Sequence, residues 1–128
     1  MKNNKAFTLI ELLAVVIVIG LLVVLIAPKV KSTIEDSTKS SAELSAQALL
    51  RNATNYYLEK RAQNNNFEEC TYDFTNDINT CNNFEFTGEA PTSGTLTINI
   101  KGEISGTITF NKKYNYCISD NKVTEGTC

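Results

Sequence analysis

Phe7-Thr8-Leu9-Ile10-Glu11, continued by an apolar run to Ala27, is the stretch that decides the fold. From Phe7 to Ala27 there are 21 residues, and only Thr8, Glu11 and Gly20 interrupt the aliphatic and aromatic side chains. At roughly 1.5 Å per residue, a helix of that length spans roughly 30 Å, the thickness of a bilayer's hydrocarbon core. Glu11 is the exception within it. A carboxylate one turn inside such a segment costs about 2.5–3.5 kcal/mol to insert, so it calls for a partner. The other reading leaves Glu11 at the headgroup level, snorkelling to water.

Working outward, Met1–Ala6 is a short basic leader carrying Lys2 and Lys5. An ordinary secretory signal has its small-residue cleavage site after the apolar run. Here the small residue, Ala6, lies before it, no A-x-A-like site follows, and a Glu stands near its front. Loss of Met1–Ala6 alone would keep the membrane helix on the mature protein. Lys2 and Lys5 then place the N-terminus in the cytoplasm and everything after Pro28 outside.

This arrangement of basic leader, Phe-Thr-Leu-Ile-Glu and apolar helix resembles the type IV pilin and pseudopilin signature. The resemblance is close from about Lys5 to Lys31 and only architectural beyond. Gly20 and Pro28 fall where such helices commonly carry a helix-weakening Gly and Pro. One departure is Ala6, where the family usually has Gly before the scissile bond; a small residue is retained. The resemblance implies that a membrane aspartic prepilin peptidase cuts between Ala6 and Phe7 and methylates the new amino group of Phe7. It assigns Glu11, with Thr8, to subunit assembly: Glu11 of an incoming subunit pairs with the Phe7 amino group of a neighbour.

Past the membrane the helix is expected to continue. Pro28 disrupts local hydrogen bonding but is tolerated where packing or a kink absorbs it. Residues 30–62 contain no Gly or Pro. Ala46, Leu49, Leu50, Ala53 and Tyr57 form an amphipathic face within them. The chain from Phe7 to about Ala62 therefore reads as one helix roughly 80 Å long, bent near Gly20 and Pro28. The alternative splits it into a membrane helix and a separate soluble one. The expected organisation is a leader at 1–6, a membrane and assembly half of the helix at 7–27, a soluble half at 28–62, and a loop plus sheet at 63–128.

Asn64-Asn65-Asn66 ends the helical pattern, and a polar stretch to Gly94 with scattered aromatics reads as a connecting loop anchored onto the domain. Leu96, Ile98 and Ile100, then Ile104, Ile108 and Phe110, alternate with polar residues. Tyr114–Ser119 and a short run at Lys122–Thr124 follow, separated by Asp120-Asn121, a two-residue hairpin loop. The expected fold is α+β and pilin-like, a long N-terminal α-helix packed on a three- to four-stranded antiparallel β-sheet.

The four cysteines, Cys70, Cys81, Cys117 and Cys128, all follow the membrane segment. In a small exported domain an even count reads as two disulfides. Three pairings are possible; the two separations of eleven favour Cys70–Cys81 and Cys117–Cys128. Four-thiolate metal binding would want C-x-x-C spacing, which is missing. The chain has no His, which removes His-based metal sites and Ser-His or Cys-His pairs. No Gly-rich phosphate loop occurs, and no cofactor is implied. Net charge is −2, becoming −4 once Lys2 and Lys5 leave with the leader. The adjacent pair Lys112-Lys113 reads as a solvated hairpin rather than a nucleic-acid contact. Asn52-Ala53-Thr54 matches a glycosylation sequon but lies mid-helix and is set aside.

Two classes of function follow. One is a non-enzymatic structural subunit of a type IV pilus or related filament, or a minor pilin or pseudopilin of a secretion or competence system. Its partners would be other pilin subunits, the prepilin peptidase and a membrane assembly platform with an ATPase. It would sit in the bacterial cytoplasmic membrane before assembly and in an extracellular filament after. The other is a membrane-anchored enzyme or binding module, which needs a constellation of chemical residues that the outer domain does not offer.

Overall fold

The computed structural model describes residues 8–64 and 66–128. One long helix, α1 (Leu9–Gln63), precedes six strands: β1 (Cys70–Asp73), β2 (Ile78–Asn79), β3 (Ser93–Ile98), β4 (Ile104–Phe110), β5 (Tyr114–Ser119) and β6 (Lys122–Glu125). The chain divides into two compact units, one ending at Ser37 and one running Thr38–Cys128.

From Leu9 on, the described part of the first unit is helix. Pro28 lies inside it, and the Thr33 hydroxyl donates to the Lys29 carbonyl at 2.9 Å one turn later. Every Leu, Ile and Val from Leu9 to Ile26 is at least half exposed, from 50% at Leu22 to 85% at Leu9. By length and composition α1 contains a stretch able to cross a membrane.

In the second unit the rest of α1 lies on the sheet. Ala42, Ser45, Ala46, Leu49, Ala53, Tyr56 and Tyr57 are buried at helical spacing and share one core with the strands. The sheet contributes Leu96 and Ile98 from β3, Ile104, Ile108 and Phe110 from β4, and Tyr116 and Ile118 from β5. Their alternation follows the period of two of a strand with one covered face. Each fully buried Leu, Ile or Phe contributes about 1.5–3 kcal/mol. The small Ala42, Ala46 and Ala53 let the helix backbone sit close to that face. α1 ends at Gln63, where Lys60 and Arg61 in the last turn meet the negative end of the helix.

All strand pairs are antiparallel, in the order β2-β1-β3-β4-β5-β6. Asp120 and Asn121, with φ of 51° and 58°, make the tight β5–β6 turn with the left-handed geometry that short hairpins favour. Asn121 is doubly placed there, because its Oδ1 also accepts from the Ile104 N–H at 3.2 Å. The fold class is the expected α+β, but the sheet has six strands rather than three or four. β1 and β2 arise inside the stretch read as a connecting loop. Ile100 also departs from expectation: β3 stops at Ile98, and Ile100 is 60% exposed in the turn that follows.

Candidate functional site

The N-terminal end of α1 is built from Thr8 and Glu11. The Thr8 N–H donates to Glu11 Oε2 at 3.1 Å, and the Glu11 N–H donates to Thr8 Oγ1 at 3.3 Å. This is a reciprocal capping box, with Thr8 at the cap and Glu11 three residues on, satisfying two backbone donors that a helix start leaves open. The carboxylate also faces the positive end of the helix, a favourable placement of about 0.3–1 kcal/mol. Glu11 therefore has a partner within its own chain. The Thr-x-x-Glu spacing ahead of an apolar run is the sequence signal for this cap.

Ala6, Phe7 and the rest of the leader lie outside the described residues. Gly20 sits mid-helix with nothing within 4 Å of where a Cβ would stand. Thus Thr8 and Glu11 are brought together, whereas Gly20 and Pro28 lie farther along the same helix.

In the second unit, Cys70 is bonded to Cys81 and Cys117 to Cys128. The first bridge ties β1 to the residue two beyond β2; the second ties the last residue to β5. At the start of this unit the Tyr116 hydroxyl donates to the Lys39 carbonyl at 3.2 Å, and Lys39 Nζ pairs with Glu125 at 2.8 Å. The hydrogen bond and the charge of Glu125 raise the Lys39 pKa above the usual lysine value. Burial raises that of the Tyr116 phenol. These contacts fasten the helix to β5 and β6.

Tyr56 and Tyr57 hold the other end. The Tyr56 hydroxyl donates to the Asn82 carbonyl at 2.8 Å, and burial pushes its pKa up. The Tyr57 hydroxyl donates to the Ile100 carbonyl at 3.3 Å and accepts from Arg61 Nη1 at 2.6 Å. Among the described residues no cluster of three or more His, Cys, Asp or Glu side chains could hold a metal ion. The arrangement is one of fastening: a capped apolar helix at one end and a stapled domain at the other.

No curated protein and no solved structure matches the chain. A family model, the prokaryotic N-terminal methylation motif, matches residues 1–27. Leader, cap and apolar helix together thus form the class III signal of type IV pilins, which this chain carries at its N-terminus.

Proposed function

We propose that this chain is a structural subunit of a type IV pilus or a related pseudopilin filament. A prepilin peptidase would cut it between Ala6 and Phe7 and methylate Phe7, and its N-terminal helix would drive assembly. The observation that carries the reading is the methylation motif on a helix whose Leu, Ile and Val side chains from Leu9 to Ile26 are all half exposed or more. Such a surface belongs in lipid or among like helices, and burying it is worth about 25 cal/mol per Å² removed from water. The membrane would hold the helix before assembly and neighbouring copies would hold it after.

The cap geometry supports a defined role for Glu11. Its contact to Thr8 uses Oε2, and a carboxylate has about four acceptor sites, so capping its own helix leaves capacity for another donor. That donor would be the Phe7 amino group of a neighbouring copy, and the pairing would neutralise both charges inside the apolar core.

Two variants at Glu11 test this. Glu11→Val removes cap and charge together, and sheared filaments should fall at least tenfold while the membrane pool persists. Glu11→Gln retains a side chain that can complete the capping box but carries no charge. It should lose filaments as Glu11→Val does. Wild-type filament yield from Glu11→Gln would overturn the charge pairing and leave Glu11 as a cap alone.

A further inference from the structure

A second feature lies in the globular unit, away from the N-terminal helix end. Between α1 and the β5–β6 hairpin is a cleft of about 380 Å³. Leu50 and Val123 form its half-buried apolar floor, and Gln47, Arg51, Asn121 and Lys122 stand around it. No carboxylate lines it. Among the described residues no ion pair is found for Arg51 or Lys122, whereas Lys39 pairs with Glu125. The Asn121 Oδ1 is already committed to the Ile104 N–H, which leaves its amide donors free to serve the cleft. An unpaired guanidinium offers five donors in a fixed fork suited to a carboxylate.

The surroundings identify the kind of molecule that would bring that carboxylate. Arg51 lies midway between Leu44 and Leu58, seven residues to either side and hence on one line along the helix. Both leucines are exposed, at 66% and 57%. An arginine flanked by exposed leucines over an apolar floor has the make-up of a protein contact, with a charged anchor inside apolar surface. A free phosphate would have no use for the leucines.

We infer that the Leu44–Arg51–Leu58 line and the Lys122 cleft receive a carboxylate from the globular unit of a second copy of this chain. The inference rests on the filament reading above and adds to it a contact between globular units. Charge complementarity favours a second copy: processed chains carry a net charge of −4, and all but one of the acidic side chains of the globular unit stand outside any ion pair among the described residues.

The test uses full-length protein expressed in cells that carry a type IV pilus assembly apparatus. Arg51→Glu and Lys122→Glu should each cut sheared-filament yield at least tenfold, with the membrane pool unchanged and no free thiol exposed. Wild-type yield from Arg51→Glu would overturn the inference while leaving the filament reading standing. No filaments from the wild type would remove both. If Arg51→Glu lowers the pool or frees a thiol, Arg51→Gln decides: at least threefold loss supports the contact, and unchanged yield overturns it. Unchanged filaments with lost binding to phosphatidylglycerol vesicles would reassign the cleft to lipid and overturn the inference.

Discussion

Gly102 marks how closely the turn after β3 is pressed against the helix. Its φ of +85° is one that side-chain-bearing residues rarely adopt, and a Cβ there would overlap the Tyr57 ring. Gly102→Ala should therefore destabilise the globular unit by about 1–3 kcal/mol, read as a lowered urea midpoint in detergent. An unchanged midpoint would show that the ring can move aside. Asp73 makes a different prediction. Its carboxylate lies below the usual range first because the Asn76 side-chain amide donates to it at 2.8 Å. The Asn76 and Thr75 backbone N–H groups add to this. A depressed folded pKa means stability that is present above the unfolded value and lost as pH falls through the folded one. The β1–β2 turn should loosen below about pH 4, seen as faster amide exchange at Asn76. Asp73→Asn should remove that acid dependence, and a turn equally acid-sensitive in Asp73→Asn would show another group to be responsible.

At the scale of elements, the two disulfides should not be worth the same. Each spans eleven residues, so each constrains the unfolded chain by a similar amount, about 3 kcal/mol. Cys70 and Cys81 are both buried in the core, whereas Cys128 is exposed. Replacing Cys70 and Cys81 by Ser adds buried hydroxyls and should lower the urea midpoint further than replacing Cys117 and Cys128. Equal midpoints would contradict this. The same distinction between core and edge governs what could be read beforehand. β3 to β5 were legible because Leu96, Ile98, Ile104, Ile108, Phe110 and Ile118 sit at strand spacing on the covered face, and β6 because Asp120-Asn121 marks a hairpin loop before it. β1 was not, since the four residues Cys70-Thr71-Tyr72-Asp73 are too few to stand out in a polar stretch, and a two-residue β2 is shorter still. The buried helix face was legible at Ala46, Leu49, Ala53 and Tyr57; Ser45 was not, because a polar side chain announces no burial. At the N-terminus the Thr8–Glu11 spacing was visible, but its local meaning was hidden behind the intersubunit role that the resemblance supplied.

For the molecule as a whole, the two units ask for different surroundings. The first exposes aliphatic side chains throughout, and the second buries its own in a stapled domain. Under the filament reading, the mature chain recovered from filaments should begin at Phe7 and carry a methylated amino group. Intact-mass measurement checks this, and Met1 retained in assembled material would contradict it.

The order of strands in the sheet also bears on how quickly the domain can form. β3, β4, β5 and β6 each pair with the next strand in the chain, so most of the sheet closes by local hairpins. The long-separation pairing is confined to β1 with β3. Contacts of short sequence separation need little loop closure before they are rewarded, which favours rapid folding. Both cysteine pairs close within such local segments. A chain delivered one segment at a time could oxidise each pair soon after its second cysteine arrives, with few mispaired thiols left to reshuffle.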